Sequence, residues 1–392
     1  MTESPRSSSS NSPPTLSAGA TPTTRRWRLG LFLSAVGTVV ISLLLVQFDD
    51  FDAAPYTSDE LAKQPISGVP RTNPRMLHGS EKIGAGKLLG PEDIVYDPKL
   101  GVIYTSCVDG WIKRVRVNDS VVEEWVNTGG RPLGLALGYA GEVYVADAFK
   151  GILKITKYGE IEVLTDEAEG IKFGTTDAIA IAKNGMLYFT DASWKYDLHD
   201  FAYDILEGRP YGRFMSYDPS TKQTKVIARD LYYANGVEMS PNQDSVIFCE
   251  TPMMRCMRYY IEGEKEGTID IFIDRLPGMP DNIHYDGEGH YWIAIPTEHS
   301  YEWDIVRRYP FIRKLFAFLE KYSKRPSVEK NAGALSVDLE GKLVERYYDH
   351  ELAFVTTGIK IGEHLYLGNL VKPFIIRLNV TQYPATTSSS TT

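Results

Sequence analysis

Five oxygen-bearing residues stand at matching points of a repeated phrase: Glu92, Asp177, Asn235, Asp281 and Asn282. They open the runs Pro91-Glu92-Asp93-Ile94, Thr176-Asp177-Ala178-Ile179, Ala234-Asn235-Gly236-Val237 and Pro280-Asp281-Asn282-Ile283. Brought together, three carboxylates repel one another unless protons or a cation neutralise them. Carboxylate and amide oxygens are hard ligands, and this mixture suits Ca²⁺, which accepts both at flexible geometry. Zinc does not fit, because the chain has three cysteines and no paired-histidine motif. Any one of these residues alone would read as a strand cap or a partner for tunnel water. Their recurrence at one point of successive repeats favours a cation site.

The elements that must position them are strands. A turn residue, an apolar residue, an aromatic and another apolar residue recur with aromatics at Tyr104, Tyr144, Tyr188, Phe248, Trp292 and Tyr366. In the third copy Ala178–Ala182 runs forward, Lys183-Asn184-Gly185 turns, and Met186–Phe189 runs back. That is a β-hairpin by alternation and turn chemistry. A strand-rich unit of about forty residues repeated along a chain is the mark of a β-propeller blade. The reading is an all-β, six-bladed propeller over residues 70–383. The first strand of each blade lines the axis, so the openings converge at one end of the tunnel and bring these five residues together. The second strand runs back to that end, where Asp147, Asp191, Glu250, Thr297 and Asn369 form a surrounding ring. Insertions are expected at 194–211 and 301–325, both leaving the same face. Ile305, Tyr309, Ile312, Leu315, Phe316 and Leu319 recur at helical spacing in the second. Pro310 bends that helix or starts it anew. Packing on the blade tops, a lid over the site and a membrane-facing helix are the three readings for it. His299 and His199 are the histidines expected to reach this face and serve as a base. Surface or packing roles are the plainer alternative for each.

The 392 residues carry a net charge of −9, and no basic stripe answers nucleic-acid phosphates. Residues 1–28 read as a disordered cytosolic tail, rich in Ser, Thr and Pro at its start. Leu29 to Phe48 is uncharged, and its length suits a membrane-spanning anchor. Arg25, Arg26 and Arg28 precede it and Asp49, Asp50 and Asp52 follow, which places the later domain in a lumen or outside the cell. A removed signal peptide is the alternative. Residues 49–69 read as a linker and 384–392 as a disordered tail. The sequons at Asn118 and Asn379 would be glycan acceptors in that topology. Cys249 and Cys256 flank a hairpin connection and are read either as a disulfide or as two buried thiols. Cys107 is left over.

The phrases Gly90-Pro91-Glu92-Asp93, Arg131-Pro132-Leu133-Gly134, Ala234-Asn235-Gly236-Val237 and Pro280-Asp281-Asn282-Ile283 resemble the strictosidine synthase-like family. It is a six-bladed branch of the calcium-dependent phosphotriesterase superfamily, with membrane-anchored plant and animal members. The resemblance implies that Glu92, Asn235, Asp281 and Asn282 match calcium ligands of the hydrolase members, and that Asp177 matches the acidic half of an Asn-Asp pair. Thr176 replaces that Asn, and Arg131 stands where paraoxonases carry a histidine. Strictosidine synthesis needs a glutamate near the sixth opening. Thr356-Thr357 stands there, and threonine is no general base at neutral pH. The expectation is a secretory-system membrane protein of the endoplasmic reticulum, vacuole or plasma membrane. It acts on a small-molecule ester or lactone with Ca²⁺. The rival is a non-catalytic propeller that binds a metabolite or protein; an amine–aldehyde condensing enzyme comes third.

Overall fold

Alternating apolar residues closed by tight turns give hairpins throughout the computed structural model, which describes residues 22–66, 68–323 and 327–387. In the first blade, Ile94–Asp97, Val102–Ser106, Trp111–Arg116 and Val122–Asn127 pair antiparallel in chain order. Gly101, with φ +65°, supplies a left-handed turn position that a side chain would resist. The second blade runs from Pro132–Leu137 to Ile161–Thr165 and the third from Thr176–Ile181 to Gln223–Leu231. The fourth runs from Ala234–Met239 to Ile269–Ile273 and the fifth from Ile283–Tyr285 to Leu343–Asp349.

The sixth blade takes three strands from the end of the chain, Val355–Ile361, His364–Asn369 and Ile375–Asn379. Its outer strand, Glu81–Ile83, comes from the start of the domain. This pairing closes the ring. Arg71–Asn73 adds a parallel edge strand to the fifth blade, and Thr72 bridges Thr386. Ala385 is buried and donates its amide to Tyr347. The first part of the stretch read as a disordered tail is therefore packed; residues 388–392 lie outside the described residues.

The core lies between neighbouring blades. Val95, Tyr104 and Ile112 of the first pack against Leu135, Val145 and Leu153 of the second. At Gly236 the fourth inner strand approaches the fifth blade's opening so closely that a side chain is excluded. A Cβ on Gly236 would sit 2.3 Å from the Asp281 carbonyl oxygen, which explains the glycine after Asn235.

Among the described residues five α-helices accompany the strands. The first, α1 (Pro22–Phe48), belongs to a separate unit ending at Asp50. It covers the run read as an anchor but begins earlier and takes in Arg25, Arg26 and Arg28. Among the described residues no helix is long and apolar enough to cross a membrane. Residues 1–21 of the expected tail lie outside the described residues.

The second unit begins at Phe51, and α2 (Ser58–Ala62) lies in the stretch read as a linker. That stretch is held against the propeller. Glu60 pairs with Arg255 and Lys63 with Asp274, and Ile66 donates its amide to the Arg275 carbonyl. The first insertion contains α3 (Phe201–Glu207), and the second contains α4 (Tyr301–Arg308) and α5 (Pro310–Tyr322). Pro310 starts a new helix at its first turn, where a missing N–H costs nothing. The deepest residues of α5 are Arg313 and Ala317 rather than the apolar stripe read from the sequence. Arg313 donates to the carbonyls of Leu206 and Glu207, so it joins α5 to the end of α3. Cys249 and Cys256, cross-strand partners in the fourth blade, form a disulfide, and Cys107 is buried and free.

Candidate metal centre and cavity

The inner strands do not run evenly to the axis. The pairing of Thr176–Ile181 with its neighbour slips between Thr176 and Ile179, and that of Ala234–Met239 between Ala234 and Val237. A bulge of this kind re-aims a side chain. Here the re-aimed residues are Asp177 and Asn235. The fifth blade's inner strand begins only at Ile283, which leaves Asp281 and Asn282 in the loop before it.

These residues meet as the sequence suggested. Carboxylate oxygens of Glu92, Asp177 and Asp281 lie within 4.8 Å of one another, and all three residues are buried. The Asn235 amide bonds the Asp281 carboxylate. Asn282 donates Nδ2 to Glu92 Oε1 at 2.9 Å and stands behind the cluster. Glu92 Oε2 and Asn235 Oδ1 are buried with no hydrogen-bond partner. Burial, reinforced by the neighbouring Asp281, Asp93 and Asp177 charges, pushes the Glu92 carboxyl well above the usual range. Burial and then Asp177 do the same to Asp281. Asp177 rises to about 7, from burial and then the Asp93 charge. Ionising this trio without a counter-charge is costly, and a cation relieves the cost. An all-oxygen donor set with two orphaned acceptors fits Ca²⁺.

The ring has a different task. Asp147 accepts the Arg131 amide at 3.0 Å, Asp191 the Thr175 amide at 2.9 Å and Glu250 the Tyr232 amide at 2.9 Å. The second strands of the second, third and fourth blades thus end in an acid that latches the loop leading to the same blade's opening. Under the trio, Asp93 accepts from Thr357 Oγ1 and the Leu135 amide and pairs with His284 Nε2 at 2.6 Å. Burial disfavours charge on His284, but Asp93 and then Glu238 outweigh it and raise the ring to about 10. This buried pair ties the first blade to the second, fifth and sixth.

Above the trio lies a cavity of about 350 Å³, within the range of small-molecule sites. Glu92, Asp177, Asn235 and Asp281 line its floor. Its walls are mostly apolar, with Leu206, Met279, Trp303, Phe316 and Phe354 among them. Leu206 comes from α3, Trp303 from α4 and Phe316 from α5, so the insertions cover the site as a lid. Tyr233 and Phe354 hold left-handed backbone at φ +45° and +61° just before their inner strands. Both line the cavity, where such strain concentrates.

His199 lies in the cavity wall, exposed and stacked on Phe149 with ring centroids 5.1 Å apart. His299 does not reach the cavity. Its amide is held by the Pro277 carbonyl and its Nε2 meets Asp304 at 2.9 Å, so it faces a separate crevice with Val69, Arg346 and Tyr348. Arg131, known from the sequence only as the residue standing where paraoxonases carry a histidine, also lines the cavity, as does Tyr233, which the sequence did not single out. Arg131 carried a signal, a cation at a blade opening; Tyr233 carried none beyond its place before Asn235.

Comparison with known proteins places this architecture. The strictosidine synthase profile matches residues 177–264, and the profile of the strictosidine synthase-like N-terminal region matches residues 73–115. The protein STRICTOSIDINE SYNTHASE-LIKE 6 of Arabidopsis thaliana is 52% identical over 360 residues, which cover 91% of this chain and 96% of the relative. The chain belongs to the strictosidine synthase-like family. A more distant relative is the adipocyte plasma membrane-associated protein of Gallus gallus. It is 31% identical over 342 residues, covering 80% of this chain and 81% of the relative. The family fold is shared with a gluconolactonase of Xanthomonas campestris, at TM-score 0.55 and 14% identity, over 81% of this chain and 96% of the other. It is also shared with the calcium-binding protein regucalcin of Agrobacterium tumefaciens, at TM-score 0.53 and 14% identity, over 76% and 92%.

Proposed function

We propose that this strictosidine synthase-like propeller is a cation-dependent hydrolase of small esters or lactones, with Ca²⁺ held on the axis. The observation that carries the reading is the buried trio Glu92, Asp177 and Asp281 beside two orphaned acceptors, Glu92 Oε2 and Asn235 Oδ1. Glu92, Asp177, Asn235 and Asp281 would hold the ion. When bound it supplies a Lewis acid for a carbonyl or phosphoryl oxygen. The apolar walls take the body of the substrate, and the lid helices limit water. His199 is placed to hold a proton at the cavity wall. The gluconolactonase and the calcium-binding regucalcin with this fold support the reading by analogy.

Amine–aldehyde condensation is not supported. Thr356 Oγ1 donates to the Glu92 carbonyl and Thr357 Oγ1 to Asp93, so neither threonine at that opening is free to take a proton. A binding-only propeller is the second reading, favoured by the exposed, stacked position of His199, the one cavity-wall histidine among the described residues. We further propose that residues 29–48, uncharged in sequence, anchor the protein in an endomembrane or plasma membrane with the propeller lumenal or extracellular.

The test is calorimetric Ca²⁺ titration of the full chain in detergent, with aryl ester and lactone assays with and without EDTA. Ca²⁺ binding that Glu92→Gln abolishes, with turnover lost in EDTA, is the expected result. Binding without turnover selects the second reading, and no Ca²⁺ binding sinks the metal site.

A further inference from the structure

The cavity holds one unanswered donor as well as its unanswered acceptors. Arg131 is 4% exposed and lines the cavity. Its Nη1 donates to the carbonyl of Pro132 at 2.8 Å, but Nη2 is buried with no hydrogen-bond partner. No ion pair holds the guanidinium among the described residues, although Glu92, Asp147 and Asp177 are close enough to act on its charge. Arginine keeps its charge in proteins and offers donors in a planar fork matched to a carboxylate. A buried cationic N–H without an acceptor is costly, more so than a neutral one. Nothing in the fold requires this cost, because the Asp147 latch holds the loop through the Arg131 backbone amide rather than its side chain.

We propose that Arg131 is the recognition point for an anionic oxygen of the ligand, and that the ligand class is a small carboxylate with an apolar body. This deepens the reading above and rests on the same cavity. The charges agree with it. Three carboxylates and one guanidinium leave two negative charges uncancelled at the floor, and a divalent cation balances them. The cavity then no longer repels an anion, and Nη2 gives it a directed partner. The carboxylate lies at the Arg131 side of the floor, beside the first and second openings. The apolar body lies under Leu206, Trp303 and Phe316.

Phenylacetate and its neutral analogue phenylacetamide test this by calorimetry on the full chain, each with Ca²⁺ and with EDTA. Charge-assisted hydrogen bonds outweigh neutral ones, so phenylacetate should bind at least about tenfold more tightly than the amide in the presence of Ca²⁺. Arg131→Gln should remove that preference by weakening phenylacetate more than the amide. Arg131→Lys should restore part of it, since it keeps the charge and loses the fork. Equal affinity for the two probes, no phenylacetate binding at millimolar concentration, or a preference that survives Arg131→Gln each overturns the proposal. If Arg131→Gln does not fold, Arg131→Lys takes its place, and a carboxylate preference that it leaves undiminished overturns the proposal. A Ca²⁺ titration without heat removes the metal reading, while the carboxylate preference measured in EDTA still judges Arg131.

Discussion

Asn282 Nδ2 donates to Glu92 Oε1 at 2.9 Å across 190 residues of sequence. The bond joins the openings of the fifth and first blades. It occupies one Glu92 oxygen and leaves the other, Oε2, unpartnered beside Asp177 and Asp281. Asn282 therefore acts as a positioning residue for the carboxylate proposed to bind the ion. Asn282→Ala should weaken Ca²⁺ binding about tenfold, as expected for loss of an orienting partner of a metal ligand. Glu92→Gln should abolish it. Calorimetry reads both, and an unchanged affinity in Asn282→Ala removes the positioning role.

Asp204 gives a pH dependence away from the metal site. It is buried in α3, and its Oδ2 has no partner. Burial raises it to about 7, against a hydrogen bond from Ser193. The folded protein thus holds this proton more tightly than the unfolded chain does. The stabilisation is complete below about pH 4 and is lost as pH rises through about 7. Asp204→Asn imitates the protonated form and should stabilise the protein at pH 8 by roughly 1–4 kcal/mol, with little effect at pH 4. Melting temperatures at the two pH values check this. A gain equal at both would show that the carboxyl is not the cause.

Arg313 should control the lid. It is fully buried, donates at 3.1 Å to the Leu206 and Glu207 carbonyls, and also donates to the Ala54 carbonyl. Its guanidinium carbon lies 4.7 Å from the centre of the Tyr56 ring. Arg313→Met keeps much of the bulk and leaves those carbonyls without the donor. A loss of about 2–4 kcal/mol is expected, with faster limited proteolysis within 195–210 and 300–322. An unchanged melting temperature would count against the linking role.

The topology proposal makes its own prediction. Asn118 is exposed in the turn between Trp111–Arg116 and Val122–Asn127. Asn379 is partly buried, and its Oδ1 already accepts the amides of Thr381 and Gln382. Protein expressed in a eukaryotic secretory system should shift on a gel after glycosidase treatment, and Asn118→Gln should remove most of the shift. A band that never shifts speaks against lumenal placement.

The sequence by itself determined the periodic elements. Local alternation and turn chemistry name each hairpin, and the repeat number names the blades and the face on which Glu92, Asp177, Asn235, Asp281 and Asn282 gather. These signals lie within a few residues of one another, so no distant partner is needed to read them. Tertiary structure alone decided what those residues face. That Glu81–Ile83 closes the last blade, that Asn282 holds Glu92, and that Asp93 is buried against His284 are pairings between distant segments. The placements of His299 in a separate crevice and of Arg131 in the cavity with an unanswered donor depend on side-chain direction. A one-dimensional pattern fixes which residues lie at an opening. Only close packing of six openings around one axis fixes which of their atoms find partners and which are left for a ligand.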